Sequence, residues 1–278
     1  MTIAADNAIE PSQQKRFAWP PEHEPPASGP GNAGATTTPR RGARDDAWSQ
    51  FERAFLGLAG ASFTSRSARE GWLADAPDAY CARCGRSVGP HEYSAADGCP
   101  RCESRRLPWA RVVRLGAYED LLRDAVLEIK FTRWRKIGAE TGCLLGVSLA
   151  RALADAGMEP ADAVLIPVPS PFRRRLARGI DHTLVAARGV GRSSGVSICR
   201  ALTARAGPAQ VDVPASRRAR NVTGRFAPRR GLDLRGRCAV LVDDVMTTGS
   251  TVRSASLALR RGARPGAIWV AVLAVTES

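Results

Sequence analysis

Two adjacent aspartates, Asp243 and Asp244, stand between an apolar run and a stretch of hydroxyl residues in the segment VLVDDVMTTGST. Neighbouring carboxylates repel each other, and ionising either one beside an apolar core is unfavourable. A ligand that brings vicinal hydroxyls and a divalent cation makes both charges tolerable. The next residues place hydroxyls and backbone N–H groups at a helix start, which favours a phosphate. This predicts a site for a phosphorylated sugar, and an ordinary strand end with a helix N-cap is the alternative. The loop residues concerned are Thr247, Thr248, Gly249, Ser250 and Thr251.

Four of the seven cysteines form two Cys-x-x-Cys pairs, Cys81 with Cys84 and Cys99 with Cys102. Two such pairs can close a tetrahedral shell of four sulfurs around zinc, and four protein ligands leave no open position for catalysis. The spacing therefore predicts a structural zinc site. The odd count and the clustering argue against a disulfide framework and for a reducing compartment. Replacement of one sulfur by His91 and redox use of a pair are the alternatives.

The net charge of +14 is concentrated in one segment, because fourteen arginines and only two aspartates lie between Ser170 and Arg230. Arginine binds phosphate through a planar fork, so this excess favours phosphate-rich ligands or nucleic acid. An arginine-rich genome is the alternative for the group as a whole, and a solvated basic face is the alternative for some members. The candidates for phosphate contact are Arg173, Arg174, Arg175, Arg178, Arg217, Arg218 and Arg220.

The elements that must position these residues follow from the apolar pattern. Short apolar runs at 163–169, 238–244 and 267–275 predict buried strands. Helical periodicity between them indicates a doubly wound parallel α/β sheet, covered on both faces. Residues 1–44, which contain seven prolines, are expected to be disordered. Residues 45–108 are expected to hold a short helix and the cysteine module, and residues 109–278 the α/β domain.

The same pattern bears on the compartment. No uninterrupted apolar run approaches the ~20 residues of a membrane span. The N-terminus lacks the basic start and apolar core of a secretory signal. A cytoplasmic protein without membrane insertion is therefore expected.

The segment VLVDDVMTTGST resembles the phosphoribosyl pyrophosphate (PRPP) signature of type I phosphoribosyltransferases. A narrower resemblance covers the cysteine module, IKFTRWRKIG, PVPSPFRRRLARGIDH and SRRARNVTGRF, which occur in this order in the ComF family of competence-associated proteins. The resemblance implies a phosphoribosyltransferase domain with an N-terminal zinc ribbon, which binds PRPP with Mg²⁺. Asp243 and Asp244 would then hold the ribose at the catalytic centre, the loop at 247–251 the 5′-phosphate, and arginines at 173–178 the pyrophosphate. One departure is the segment RGIDH, where family members commonly read Arg-Gly-Phe-Asn-Gln.

This resemblance leaves two functions open. ComF proteins are associated with uptake of single-stranded DNA in natural transformation, which implies PRPP binding in DNA handling, with single-stranded DNA and DNA-uptake proteins as partners. The alternative is an active phosphoribosyltransferase of nucleotide metabolism that transfers ribose 5-phosphate to a nitrogen acceptor; turnover stays open. Family members acting on 6-oxopurines carry an aspartate three places after the acid pair. This chain has Thr247 there, so a 6-oxopurine acceptor is not expected. The arginines at 217–220 belong either to a lid over the site or to a DNA-binding surface, and the surface is favoured.

Overall fold

The computed structural model describes residues 62–89, 98–131, 135–170, 181–204 and 225–277. All of them belong to one compact unit, Gly60–Ser278. In chain order the elements are α1 (Phe63–Glu70), β1 (Arg111–Ala117), α2 (Asp120–Phe131), α3 (Arg135–Asp155), a 3-10 turn (Pro160–Asp162), β2 (Ala163–Pro167), α4 (His182–Ser194), β3 (Leu202–Ala204), β4 (Phe226–Pro228), β5 (Cys238–Met246), α5 (Ser250–Gly262) and β6 (Ala267–Val275).

Four strands form one parallel sheet in the order β1-β6-β5-β2. The two central strands are apolar over most of their length because helices cover both faces, and alternate residues pack into two separate cores. Val240 and Val242 of β5 pack with residues of α2, α3 and α4, whereas Ala239 and Leu241 pack with α5 and the antiparallel β3–β4 pair. The predicted α/β fold with a parallel sheet is confirmed.

Four strands differ from the sequence-based expectation. β1 and the short antiparallel strands β3 and β4 were not predicted, because Arg114 interrupts the apolar run of β1 and the other two strands have only three residues each. β5 continues two residues beyond Asp244, since Val245 and Met246 still pair with Ala274 and Val275 of β6. Both aspartates therefore lie within the strand, close to its carboxyl end.

α3 is the core helix of the face that it shares with α4. Gly142 allows a close crossing, since a Cβ atom there would lie 2.4 Å from the carbonyl oxygen of Ala186 in α4. Within the described ranges, α3 is also the one helix whose length and apolar composition would suffice to cross a membrane. Leu145, Leu149 and Leu153 of this helix are buried in the protein core, so its apolar character is accounted for by packing.

Candidate functional site

The acid pair lies at the carboxyl end of β5, where open α/β sheets bind their ligands. Asp243 pairs in register with Val272 of β6, and the preceding Val242 lies opposite Pro167, the last residue of β2. Both aspartates are half-buried. The Asp243 carboxylate accepts a hydrogen bond from the backbone N–H of Asp244 at 2.9 Å, and the Asp244 carboxylate accepts one from Val245 at 2.7 Å. The strand therefore holds both carboxylates at one edge of the sheet.

Lys130, in the last turn of α2, contacts this pair. Its Nζ atom lies 3.3 Å from Oδ2 of Asp244, and the two side chains are 23% and 24% exposed. Burial raises the pKa of Asp243 well above its usual value, the charge of Asp244 raises it further, and Lys130 acts in the opposite direction. Among the described residues, no cation lies within ion-pair distance of Asp243. The pair is thus short of positive charge, which a bound cation would supply.

The segment at 247–251, which we call the Thr-Gly loop, follows the acid pair directly. Gly249 has a φ of 70°, a left-handed conformation, and caps α5, which begins at Ser250. Thr247 and Thr248 are exposed, and the Thr248 hydroxyl accepts a 3.4 Å hydrogen bond from the N–H of Ser250. The first N–H groups of a helix have no partner within it, and the helix dipole favours an anion. A phosphate-receptive helix start therefore lies a few residues from two under-compensated carboxylates.

The four cysteines come together, as predicted. Their sulfurs all lie within 4.8 Å of one another, with Sγ–Sγ distances of 3.6 Å for Cys81–Cys102, 3.5 Å for Cys84–Cys99 and 3.8 Å for Cys99–Cys102. Sulfurs at about 2.3 Å from a zinc ion stand about 3.8 Å apart in a tetrahedron, so the spacing fits the ion. All four are free thiols. This cluster could hold a metal ion such as zinc; His91 lies outside the described residues.

Burial disfavours the charged, deprotonated form of these thiols when no cation is bound. Burial raises the pKa of Cys84, and it raises the pKa of Cys102 to about 11. Burial acts on Cys81 in the same direction, but backbone N–H groups of the two Cys-x-x-Cys turns donate hydrogen bonds that lower its pKa. A bound cation favours deprotonated thiols, so the donor set suits a metal that binds thiolates.

The cysteine module packs against the edge strand β1 and reaches the last residue of β5. The N–H of Val112 in β1 donates to the carbonyl of Ala82 at 2.6 Å, between Cys81 and Cys84. Gly85, with a φ of +76°, lies so close that a Cβ atom there would stand 2.8 Å from Val112 and 3.2 Å from Met246. A glycine is therefore required after Cys84, and the module adjoins the last residue of β5.

A buried arginine joins the module to the sheet and was missed by sequence reasoning. The Arg114 side chain in β1 is 1% exposed and pairs with Asp75 and Glu277. Arg114 also donates to the Gly85 carbonyl at 2.7 Å and the Ser87 hydroxyl at 2.6 Å. Burial raises the pKa of Asp75 despite the arginine. Glu277 is also subject to burial, but hydrogen bonds from Arg114 and Ser87 outweigh it, so its pKa is lowered. The available signal was an arginine inside an apolar run.

Comparison with known proteins places the chain in a family, although no family model matches it. The DNA utilization protein YhgH of Shigella flexneri is 33% identical over 179 residues, which cover 62% of this chain and 75% of the relative. The protein of the same name from Salmonella typhi is 32% identical over 192 residues, or 68% and 82%. The chain belongs to the YhgH family.

Two further likenesses are shorter or weaker than those to YhgH proteins. The bifunctional protein PyrR of Thermosynechococcus vestitus is 49% identical over 53 residues, which cover 18% of this chain and 29% of the relative. Among solved structures, that of TT1426 from Thermus thermophilus matches with a TM-score of 0.27 and 21% identity, covering 49% of this chain and 81% of that one.

In this YhgH-family chain, the seven predicted phosphate-contacting arginines lie outside the described residues. The flanking residues that are described surround a cavity of about 350 Å³ beyond the carboxyl end of β2. Its polar lining comes from Asp181, Arg200, Thr203 and Arg229. Asp181 also caps α4, since its carboxylate accepts a 3.3 Å hydrogen bond from the N–H of Leu184. Sequence reasoning singled out neither Arg200 nor Arg229, because they lie outside the dense arginine runs.

Proposed function

We propose that this YhgH-family chain is a PRPP-binding protein of the phosphoribosyltransferase type and of the ComF kind, acting in the cytoplasmic handling of single-stranded DNA. The observation that carries the proposal is the half-buried acid pair, short of positive charge, followed at once by the helix start of the Thr-Gly loop. The name shared by the relatives, DNA utilization protein, supports a role with DNA. The short likeness to PyrR supports a relationship to phosphoribosyltransferases.

The proposed roles follow from the chemistry of each group. Asp243 and Asp244 accept hydrogen bonds from the ribose hydroxyls of PRPP, and the Thr-Gly loop holds the 5′-phosphate through its N–H and hydroxyl groups. Mg²⁺, held at the acid pair together with the ligand, would neutralise charge on the diphosphate. Arginines at 173–178 would contact that diphosphate. We propose zinc for the cysteine cluster, in a structural role, because four sulfurs leave no open position.

Turnover of PRPP by this site is the alternative function. The cavity beside the end of β2 has a volume of about 350 Å³, within the range of roughly 300–1,000 Å³ typical of small-molecule sites. It offers room for an acceptor, and Thr247 argues against a 6-oxopurine. Positioning and electrostatic stabilisation of the departing pyrophosphate would then supply most of the catalysis.

Calorimetry with PRPP and Mg²⁺ tests the binding proposal. The wild type should bind PRPP only when Mg²⁺ is present, and the double variant Asp243→Asn/Asp244→Asn should lose binding while its fold persists. Asp124→Asn is the matched control, since Asp124 is an exposed carboxylate on α2. Wild-type affinity in the double variant would exclude the aspartates as ribose contacts. Metal analysis of the purified protein should find one zinc, and Cys84→Ser should lose it together with the order of the module.

A titration with single-stranded DNA tests the proposed role in DNA handling. If Arg217, Arg218 and Arg220 form a DNA surface, replacing all three should weaken binding to every sequence. Each lost phosphate contact should also reduce the slope of log affinity against log salt by about 0.7. If they form a lid, the slope should stay unchanged while any PRPP turnover falls. We favour the surface, and an unchanged slope would overturn it.

A further inference from the structure

Trp109 lies between the cysteine module and the Thr-Gly loop and has no part in the proposed ligand contacts. The residue is 7% exposed. Its indole N–H donates a 2.9 Å hydrogen bond to the carbonyl oxygen of Arg83, which stands in the turn between Cys81 and Cys84. The tryptophan is therefore hydrogen-bonded to the backbone of the Cys81–Cys84 turn.

The six-membered ring of the same indole packs against the Thr-Gly loop. Cη2 and Cζ2 of Trp109 lie 3.3 Å and 3.8 Å from the position that a Cβ atom of Gly249 would take. Gly249 is the residue with the left-handed φ that starts α5. The ring thus occupies the space that a side chain at residue 249 would need, and it packs directly against the backbone of the loop.

The module reaches the loop from a second direction as well. Gly85, directly after Cys84, packs against Met246, the last residue of β5 and the one before Thr247. Met246 in turn contributes its Sδ atom at 3.8 Å from the Cβ position of Gly249. The two ends of the 246–249 turn, Met246 and Gly249, therefore contact Gly85 and Trp109. Gly85 directly follows the Cys81–Cys84 turn, and Trp109 is hydrogen-bonded to it.

We propose that Trp109 is a positioning residue that couples the metal-loaded cysteine cluster to the Thr-Gly loop, so that the cluster sets the affinity of the loop for a phosphate. With a metal ion bound, the four cysteines would fix the Cys81–Cys84 turn and with it the Arg83 carbonyl. The carbonyl fixes the indole, and the indole supports the turn at Gly249. This inference rests on the proposed function, because it assigns the phosphate to that loop. It adds that the zinc site, though not catalytic, controls the ligand site.

Two substitutions separate the hydrogen bond of the indole from its contact with Gly249. Trp109→Phe removes the N–H donor but keeps an aromatic ring, and Trp109→Leu also removes most of the contact with Gly249. In the metal-loaded full chain, we expect faster amide hydrogen exchange at residues 247–251, more so in the leucine variant. PRPP affinity measured with Mg²⁺ should fall about fivefold or more in Trp109→Leu, the lower end of typical coupling between sites. Zinc content should stay at one equivalent.

Trp72→Leu is the matched control, since Trp72 packs edge-to-face on Phe63 with ring centroids 5.1 Å apart and belongs to the other core cluster. It should leave loop exchange and PRPP affinity unchanged. Unchanged exchange at 247–251 in Trp109→Leu would overturn the inference, as would faster exchange with unaltered PRPP affinity. If the wild type does not bind PRPP, the proposed function fails, and loop exchange in wild type and variant still decides whether Trp109 supports the loop.

Discussion

Arg114 in β1 and Asp243 in β5 are charged side chains in the same parallel sheet, two strands apart. Around Arg114, every N–H direction of the guanidinium meets an acceptor: Asp75, Glu277, Ser87 and the Gly85 carbonyl. The face of the guanidinium also lies over the Tyr80 ring, 5.1 Å from its centroid. Asp243 has a neighbouring carboxylate instead of a counter-charge, and the only nearby cation among the described residues pairs with Asp244.

The difference separates a charge that is satisfied within the protein from one that, as we propose, is satisfied by a ligand. A buried ion with all its hydrogen bonds satisfied within the protein is destabilised by removal of a partner, but it has nothing left to offer a ligand. A carboxylate held near others without a counter-charge destabilises the free protein, and it persists where a bound cation or diol relieves the strain. Arg114 therefore marks the docking of the cysteine module, and Asp243 marks the proposed ligand site.

Replacing Arg114 should produce the largest effect. Arg114→Met leaves Asp75 and Glu277 without their cation and Gly85 and Ser87 without a donor. Removing one partner of a buried pair costs roughly 3–5 kcal/mol, and because both carboxylates are partly exposed we expect about 3 kcal/mol, measured by urea unfolding. The matched control is Arg111→Met on the same strand. Arg111 lies over the Trp269 ring and donates once, to the Ala152 carbonyl, so about 1 kcal/mol is expected. Equal losses in both variants would break the comparison.

Replacing Asp243 should raise the free energy of unfolding, whereas replacing Arg114 should lower it. Because the folded protein raises the pKa of Asp243, the native state binds more protons than the unfolded chain between the ordinary carboxyl pKa and the raised one, and stability falls as pH rises through that window. Asp243→Asn removes this loss. We expect the variant to be more stable than the wild type at pH 8, by on the order of 1 kcal/mol, and the difference to shrink as pH falls towards 4.

Unfolding of wild type, Asp243→Asn and Asp124→Asn at several pH values measures this difference. The control should follow the wild type at every pH. If Asp243→Asn were less stable than the wild type at pH 8, Asp243 would be a structural carboxylate, and the contrast with Arg114 would be lost.

Sequence patterns revealed the acid pair and the cysteine cluster, but not the residues that join the cysteine module to the sheet. The acid pair, the Thr-Gly loop and the four cysteines are contiguous or regularly spaced, so short-range patterns predicted them and the parallel strands that hold them. Arg114, Trp109 and Glu277 act through contacts between segments far apart in the chain, as the 163-residue separation of Arg114 from Glu277 illustrates. No local pattern reveals such pairs. β1 was missed for the same reason: Arg114 reads as a polar interruption until its distant partners are known.

The smallest effect should come from Lys130, the partial compensation that the acid pair does have. Both members of the Lys130–Asp244 pair are about three-quarters buried, so a double-mutant cycle of Lys130→Met and Asp244→Asn should give a coupling of about 1 kcal/mol, near the upper limit for exposed pairs. The control cycle uses Lys136 and Glu140, an i,i+4 pair whose lysine is 56% exposed and whose atoms are 3.8 Å apart; about 0.3–0.5 kcal/mol is expected there.

The position of Lys130 also predicts that its removal changes the effect of Asp243→Asn. Since Lys130 lowers the pKa of Asp243 against burial, its removal makes the ionised pair still less favourable. The stabilisation by Asp243→Asn at pH 8 should therefore be larger in the Lys130→Met background than in the wild type, whereas Lys136→Met should leave it unchanged. An identical gain in both backgrounds would mean that Lys130 does not act on Asp243. Asp243 would then be as uncompensated with the lysine as without it, and its contrast with Arg114 would be sharper still.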